Sequence, residues 1–218
     1  YPECLTEDDI GNQDTSECVE CSDGDVNGDF TIDFWLYLFQ TGSNKNQKII
    51  GCSNYSGGWQ GWHLKKDHSN MNLNWEGGAN TTAFNTAGSS AIVAQTWTHV
   101  ALVKSGTTTK LYFDGVQKFS LAQNYAIQST GSETLQIGGS YSDGNWEYPQ
   151  MYIDEIRVSH GAHWTSDFTP WTAPYSVPSS YYKLLLHMDG ADNGTTFTDD
   201  SPLLGKDTRI HATSLAWK

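Results

Sequence analysis

The first 29 residues contain ten aspartates and glutamates but no lysine or arginine. The remaining residues hold the other fifteen of the 25 acids and all twelve bases, so most of the net charge of −13 arises at one end. No basic stripe is present to attract a phosphate backbone, and nucleic acid is not an expected partner. An acidic segment of this kind can also serve solubility alone. No apolar run approaches the roughly eighteen residues that a membrane-spanning helix needs, so no membrane span is expected. Only six prolines and 21 glycines punctuate the 218 residues, which excludes a collagen-like or low-complexity chain. No segment longer than about ten residues repeats its apolar positions every 3.6 residues, so long amphipathic helices are not expected either. The chain opens directly at Tyr1-Pro2-Glu3-Cys4, as expected of a processed form.

Cysteine is also scarce. Cys4, Cys18, Cys21 and Cys52 are the four, and three of them fall in the acidic segment. That segment has little apolar content to hold itself together, so two disulfides are expected to staple it, one reaching Cys52. The sequence leaves all three connectivities open. Cys18-x-x-Cys21 lacks the second close pair of a zinc site and the βαβ context of a redox motif. An oxidising, extracellular setting follows. Sequons at Asn54, Asn80 and Asn193 fit that setting if the host glycosylates.

What the chain has in quantity is strand signal. Tyrosine, tryptophan, phenylalanine and threonine favour a pleated, half-buried surface. "FTIDFWLYLF", Phe30 to Phe39, reads as a central strand. "QKIIGC", "GWHLKK" and "MNLNWEG" follow, the last placing Met71, Leu73 and Trp75 on one face. "TTAFNTAGSS" reads as a loop or a weak edge strand. "WTHVALVKSG", "TKLYFDG" and "VQKFSL" form the clearest hairpins, with a type I′ turn at Asp114-Gly115. "TLQIGG" and "MYIDEIRVSH" are two further strands, separated by "SYSDGNWEYPQ", read as a long loop. "GAHWTSDF" suggests one helical turn, and "TPWTAPYSVPSS" a strap or linker. Trp35, Trp75 and Trp97 are expected in the core. The fold class is all-β, two antiparallel sheets packed face to face. Three parts are expected: an acidic extension over 1–27, a sandwich over 28–176, and a C-terminal segment over 177–218.

The set "GDFTIDFWLY", "WTHVALVKSGTTTKLYFDGVQ", "LQIGG" and "YIDEIRVSHGAHWTSDFTP" resembles a laminin G-type jelly roll of the concanavalin A-like group, over about residues 28–176. "YYKLLLHMDGADNGTTFTDDS" is similar to that family's first strand and loop, which normally stand before "FTIDFW". Such modules recur in phage and marine viral fibres, bacterial surface proteins and secreted multidomain proteins. The resemblance implies a site outside the cell, at its surface or on a virion, and binding to sugars or protein surfaces, in some members through calcium on rim Asp and Asn side chains. Three arrangements follow for Tyr182, Leu184, Leu185, Leu186 and Met188. The strand completes its own sandwich as a circular permutation, is donated to the next subunit, or begins a second copy. Donation satisfies an open groove and sheet edge, and a contact of that type chains subunits head to tail into a filament. A non-catalytic fibre or surface-filament subunit is the first expectation. A lectin-like carbohydrate-binding module is the alternative.

Calcium is a possible cofactor. Asp23, Asp25 and Asn27, with Gly28 at the sixth position, match the front half of a calcium loop, and Asp29 follows. Phe34 stands where that loop needs its bidentate glutamate. Asp189 and Asp199 form a second candidate cluster, or cap turns. For sugar stacking the candidates are Tyr55, Trp59, Trp62, Tyr141 and Trp146, with Asp143 and Asn145 to meet hydroxyls. The bland alternative has these rings covering the ends of the core or contacting a neighbour. One of Asp154 and Glu155, inside "YIDEIRV", must face inward or sit against a loop. Enzymatic activity is not expected. The Glu-x-Asp-x-x-Glu strand of related glucanases is missing, the seven histidines are scattered, and no nucleophile-elbow motif occurs.

Overall fold

A computed structural model describes residues 28–39, 47–54, 60–79, 82–86, 91–122, 135–142, 145–176, 182–191 and 197–201. Among the described residues there are thirteen strands: β1 (Phe30–Leu38), β2 (Gln47–Asn54), β3 (Gln60–Lys66), β4 (Leu73–Ala79), β5 (Thr82–Thr86), β6 (Trp97–Ser105), β7 (Thr108–Phe113), β8 (Val116–Ala122), β9 (Gln136–Ile137), β10 (Ser140–Ser142), β11 (Asn145–Glu147), β12 (Met151–His160) and β13 (Tyr182–Leu186). They form a six-stranded sheet ordered β13-β12-β1-β6-β7-β8 and a five-stranded sheet ordered β5-β4-β3-β2-β9, with β10–β11 as a separate ribbon. Every pairing within these sheets is antiparallel. The architecture is the expected concanavalin A-like sandwich.

The period of two decides what lies between the sheets. Phe30, Ile32, Phe34, Leu36 and Leu38 of β1 meet Leu64, Leu73 and Trp75 from the opposite sheet in one core. Val100 and Leu102 of β6 and Leu111 and Phe113 of β7 join them. Asp114 and Gly115 both have positive φ, 49° and 76°, as a type I′ turn requires. Trp75 is fully buried; Trp35, half-buried against His99, is not in the core, and neither is Trp97, which is 43 % exposed. Its strand position puts it on the outer face of the six-stranded sheet, opposite Tyr37.

The apolar strand near the C-terminus is an edge strand of its own chain's sheet. Leu184, Leu185 and Leu186 pair with Val158, Arg157 and Ile156 of β12. Leu184 and Leu186 enter the core with Phe197, while Leu185 packs with Tyr175 and Tyr182 on the other face. Met188 lies beyond the strand, at φ 57°, half-buried against the core. β12 itself carries a bulge. Asp33 pairs with Arg157 and Trp35 with Asp154, so β12 spends one residue more than β1 across that step. Glu155 takes the strained position, φ 50°, and is the buried acid of its pair, set against a neighbouring segment and not in the core. Its carboxylate accepts the Tyr175 N–H at 2.7 Å and lies 2.8 Å from His187 Nδ1.

Residues 161–176 cross the outer face of the six-stranded sheet as an irregular strap, without the expected helical turn. Thr31 Oγ1 donates to the Gly161 carbonyl and accepts from the His163 N–H. The Phe168 N–H bonds the Gly115 carbonyl at 2.9 Å. Trp164 and Phe168 stack at 3.9 Å and cover Ala101, Val103 and Tyr112. Under the strap, the buried Asp33 accepts two bonds from Arg157, at 2.9 and 2.8 Å, and one from the Tyr175 hydroxyl at 2.7 Å. Burial raises the Asp33 pKa, yet the bonds from His99 and Arg157 outweigh it and hold the carboxyl below its usual range. No helix among the described residues is long and apolar enough to cross a membrane.

Candidate functional site

The five-stranded sheet turns its apolar side inward and presents a polar row on the other side. Strand alternation sets this directly. In "GWHLKK", Trp62 and Leu64 are buried in the core, so His63 and Lys65 point away from it. In "LNWEG", Leu73 and Trp75 are core, so Asn74 and Glu76 point away. Register aligns them: His63 pairs with Glu76 and Lys65 with Asn74, while Lys48 pairs with Lys65 and Gly51 with both His63 and Gln136.

The side chains of this row are bonded to one another. His63 Nε2 lies 2.9 Å from Glu76 Oε2, and Lys65 Nζ lies 2.5 Å from Glu76 Oε1. Lys48 Nζ donates to Gln136 Oε1 at 3.2 Å. Burial pushes the His63 pKa down to about 4, with Glu76 opposing and Lys48 and Lys65 assisting, so the ring is neutral at pH 7 and donates its Nε2–H to Glu76. Burial would raise Glu76, but its bonds to His63 and Lys65 prevail and keep it ionised. Gly51 is required here. A Cβ on it would sit 2.4 Å from His63 Cβ and 2.5 Å from the Trp62 carbonyl oxygen, so only glycine lets β2 and β3 close over the imidazole. The row comprises two ammonium groups, an ionised carboxylate and amide groups held in fixed positions by β-strands; Lys48, His63, Asn74 and Glu76 are buried, and Lys65 is partly exposed. Its donors and acceptors are largely engaged with one another.

A ribbon follows the row's last strand in the chain. β9 carries Gln136 and is followed at once by β10 and β11, which the sequence suggested would be loop. Tyr141 and Trp146 are direct register partners across this hairpin, of which the backbone is described. Asn145 pairs with Ser142.

The other sequence-derived candidates fall elsewhere. Trp62 is 3 % exposed and packs on Trp75 at 5.5 Å, so it is a core residue and offers no face to a sugar. Tyr55, Trp59 and Asp143 lie outside the described residues, as do Asp23, Asp25 and Asn27. The Asp29 carboxylate accepts the Gly106 N–H at 2.6 Å, tying β1's entry to the β6–β7 turn. Asp199 Oδ1 accepts from the backbone of Leu185 and Ser201, which is a turn-capping role, and Asp189 is exposed. No cluster of three or more metal-ligating side chains occurs among the described residues. Cys4, Cys18, Cys21, Asn80 and Asn193 lie outside those residues, and only the backbone of Cys52 and Asn54 is described. The sequence reading missed Lys48, Lys65, Glu76 and Gln136. Their signal was the polar half of each alternating strand, which was used only to locate the core.

A model of the concanavalin A-like lectin/glucanases superfamily, laminin G type, matches residues 12–164. No curated protein sequence matches the chain. Among solved structures, a candidate carbohydrate-binding protein from Bacteroides ovatus superposes with a TM-score of 0.57 at 16 % identity, covering 79 % of this chain and 49 % of that one. The chain thus spans about half the length of that protein. Domain 4 of an extracellular arabinanase from Geobacillus stearothermophilus, in complex with arabinotriose, gives 0.47 at 17 % identity over 62 % of each chain. A sialidase module of Ruminococcus gnavus bound to α2,3-sialyllactose gives 0.47 at 18 % identity, covering 64 % of this chain and 77 % of that one. At these identities the likeness concerns the fold. With its two-sheet antiparallel architecture and a family match over most of its length, the chain belongs to the concanavalin A-like lectin/glucanases superfamily.

Proposed function

We propose that this chain is a non-catalytic carbohydrate-binding module that acts outside the cell. The observation that carries the reading is the polar row, followed in chain order by a ribbon in which Tyr141 and Trp146 are register partners. Sugar rings present apolar C–H faces that stack on aromatic rings, and hydroxyl rims that pair with fixed charged and amide groups. A charged hydrogen-bond partner contributes about 1.5–3 kcal/mol when it is pre-positioned. The Bacteroides and Ruminococcus proteins are described by their own carbohydrate binding, and the same class of ligand is the natural first test here.

The fibre-subunit reading has less support, because β13, the strand that could be donated, is paired with β12 of its own chain. The decisive measurement is a glycan array probed with the full chain, followed by titration of any ligand against Lys65→Ala and a Tyr141→Ala/Trp146→Ala double variant. Each variant is expected to weaken binding at least tenfold, or about 1.4 kcal/mol. An array on which the intact chain retains no glycan would end the proposal.

A further inference from the structure

The strap covers only part of the six-stranded sheet's outer face. Beyond it, at the C-terminal end of β1, which β12 and β6 flank, the face is aromatic. Tyr37 of β1 is the register partner of both Trp97 of β6 and Tyr152 of β12. The three rings gather, with Tyr37 at 5.7 Å from Trp97 and 5.5 Å from Tyr152, and Trp97 stacked against Tyr152 at 6.5 Å and 29°. Phe39 extends the cluster, 5.0 Å from Tyr152. None of these residues is fully buried, and Trp97 is nearly half exposed. Two residues along each strand, Trp35 pairs with Asp154. Asp154 Oδ1 accepts the Glu155 N–H, and no bond to its Oδ2 is seen among the described residues.

We propose that this face is a second carbohydrate-binding surface, separate from the polar row on the opposite sheet and selective for neutral pyranose oligosaccharides. It rests on the reading that the chain binds carbohydrate. The rings supply an apolar floor for pyranose C–H groups, and the tyrosine hydroxyls and indole N–H supply donors at its edge. Asp154 supplies an acceptor for a sugar hydroxyl. Charge decides between sugar classes: with the Asp154 carboxylate two residues along β12 from Tyr152, a sialic or uronic acid would bring like charge against it. An aromatic face without free carboxylates would carry no such bias.

The test uses the full chain carrying 5-fluorotryptophan, with the Trp97 resonance assigned by its loss in Trp97→Phe. The neutral probes are β-1,4-glucan, β-1,4-mannan and α-1,4-glucan hexasaccharides. The anionic probes are sialyllactose and oligogalacturonate. At least one neutral probe is expected to move the Trp97 signal, and the anionic probes are not. Trp97→Ala should weaken binding of that neutral probe about tenfold, one stacked ring's worth, while Lys65→Ala leaves the Trp97 response unchanged. The fluorine shift needs no destabilising substitution, so a poorly folded alanine variant does not decide the matter. Glycan binding that Lys65→Ala abolishes, with the Trp97 signal static throughout, would overturn this site and leave the proposed function standing. An absence of binding to any glycan would overturn both. A Trp97 signal that moves with protein concentration and ignores sugar would assign the face to self-contact and overturn the proposal. A response to the anionic probes alone would overturn its selectivity.

Discussion

His63 shows how one residue couples the candidate site to stability. Its ring is buried and neutral, so the folded state resists a proton that the unfolded state takes up near the ordinary histidine pKa of 6.5. Between that value and the folded value of about 4, the unfolded chain binds more protons, and stability must fall as pH is lowered. The loss attributable to this ring from pH 7 to pH 5 is about 2 kcal/mol. Below the folded value both states are protonated, and the dependence levels off. Asp33 titrates in another window. Its folded pKa is depressed below 3.8, so its contribution is present above that value and disappears only as pH falls through the folded one. Urea denaturation of the wild type and His63→Gln at pH 7 and pH 5 separates the two groups. The wild type is expected to lose about 2 kcal/mol more than the variant over that interval. Equal losses would mean that His63 is not held neutral by the fold.

At the scale of elements, one buried network joins four pieces of chain. Asp33 stands on β1, Arg157 on β12, Tyr175 on the strap and Tyr182 on β13. Arg157 donates to Asp33 and to the Tyr182 hydroxyl, and its guanidinium lies 4.2 Å from the Tyr175 ring centre. The strap has little regular structure of its own, so this network and the Trp164–Phe168 stack fix its course. Replacing Asp33 by Leu leaves a buried guanidinium without its counter-ion, which costs about 3–5 kcal/mol. Tyr175→Phe removes one hydroxyl donor and keeps the ring, and about 1 kcal/mol is expected. Chemical denaturation of both variants checks the ranking, and a Tyr175→Phe cost as large as that of Asp33→Leu would contradict it. Little of this could be read from sequence. "FTIDFWLYLF" announced its inward face, because five apolar residues recur at every second position. It did not announce that Asp33, on the other face, is also buried, since the covering strap arrives from more than 120 positions away. The hairpin at 140–147 was hidden for a different reason. Its strands are three residues each, too short for an alternation to register.

For the molecule as a whole, the question is whether the sandwich closes on its own last strand. Leu184, Leu186 and Phe197 fill the core beside Ile156, and β13 covers the hydrogen-bonding edge of β12. A chain ending at Ser176 would lack both the filling and the cover. Burying a leucine side chain contributes about 1.5–3 kcal/mol, so losing two together with Phe197 removes a large share of the 5–15 kcal/mol by which domains are stable. The exposed β12 edge would also be a template for pairing with another copy. The shortened chain is therefore expected to elute as aggregates or oligomers, and a synthetic peptide spanning residues 181–201 should return it to a single folded species. The same peptide carrying a fluorophore tests the intact chain. With β13 seated in its own sheet, the full-length protein should take up no label over hours at room temperature. Steady incorporation would mean that β13 leaves its sheet readily, and the edge of β12 would then be open to a strand from a neighbouring copy.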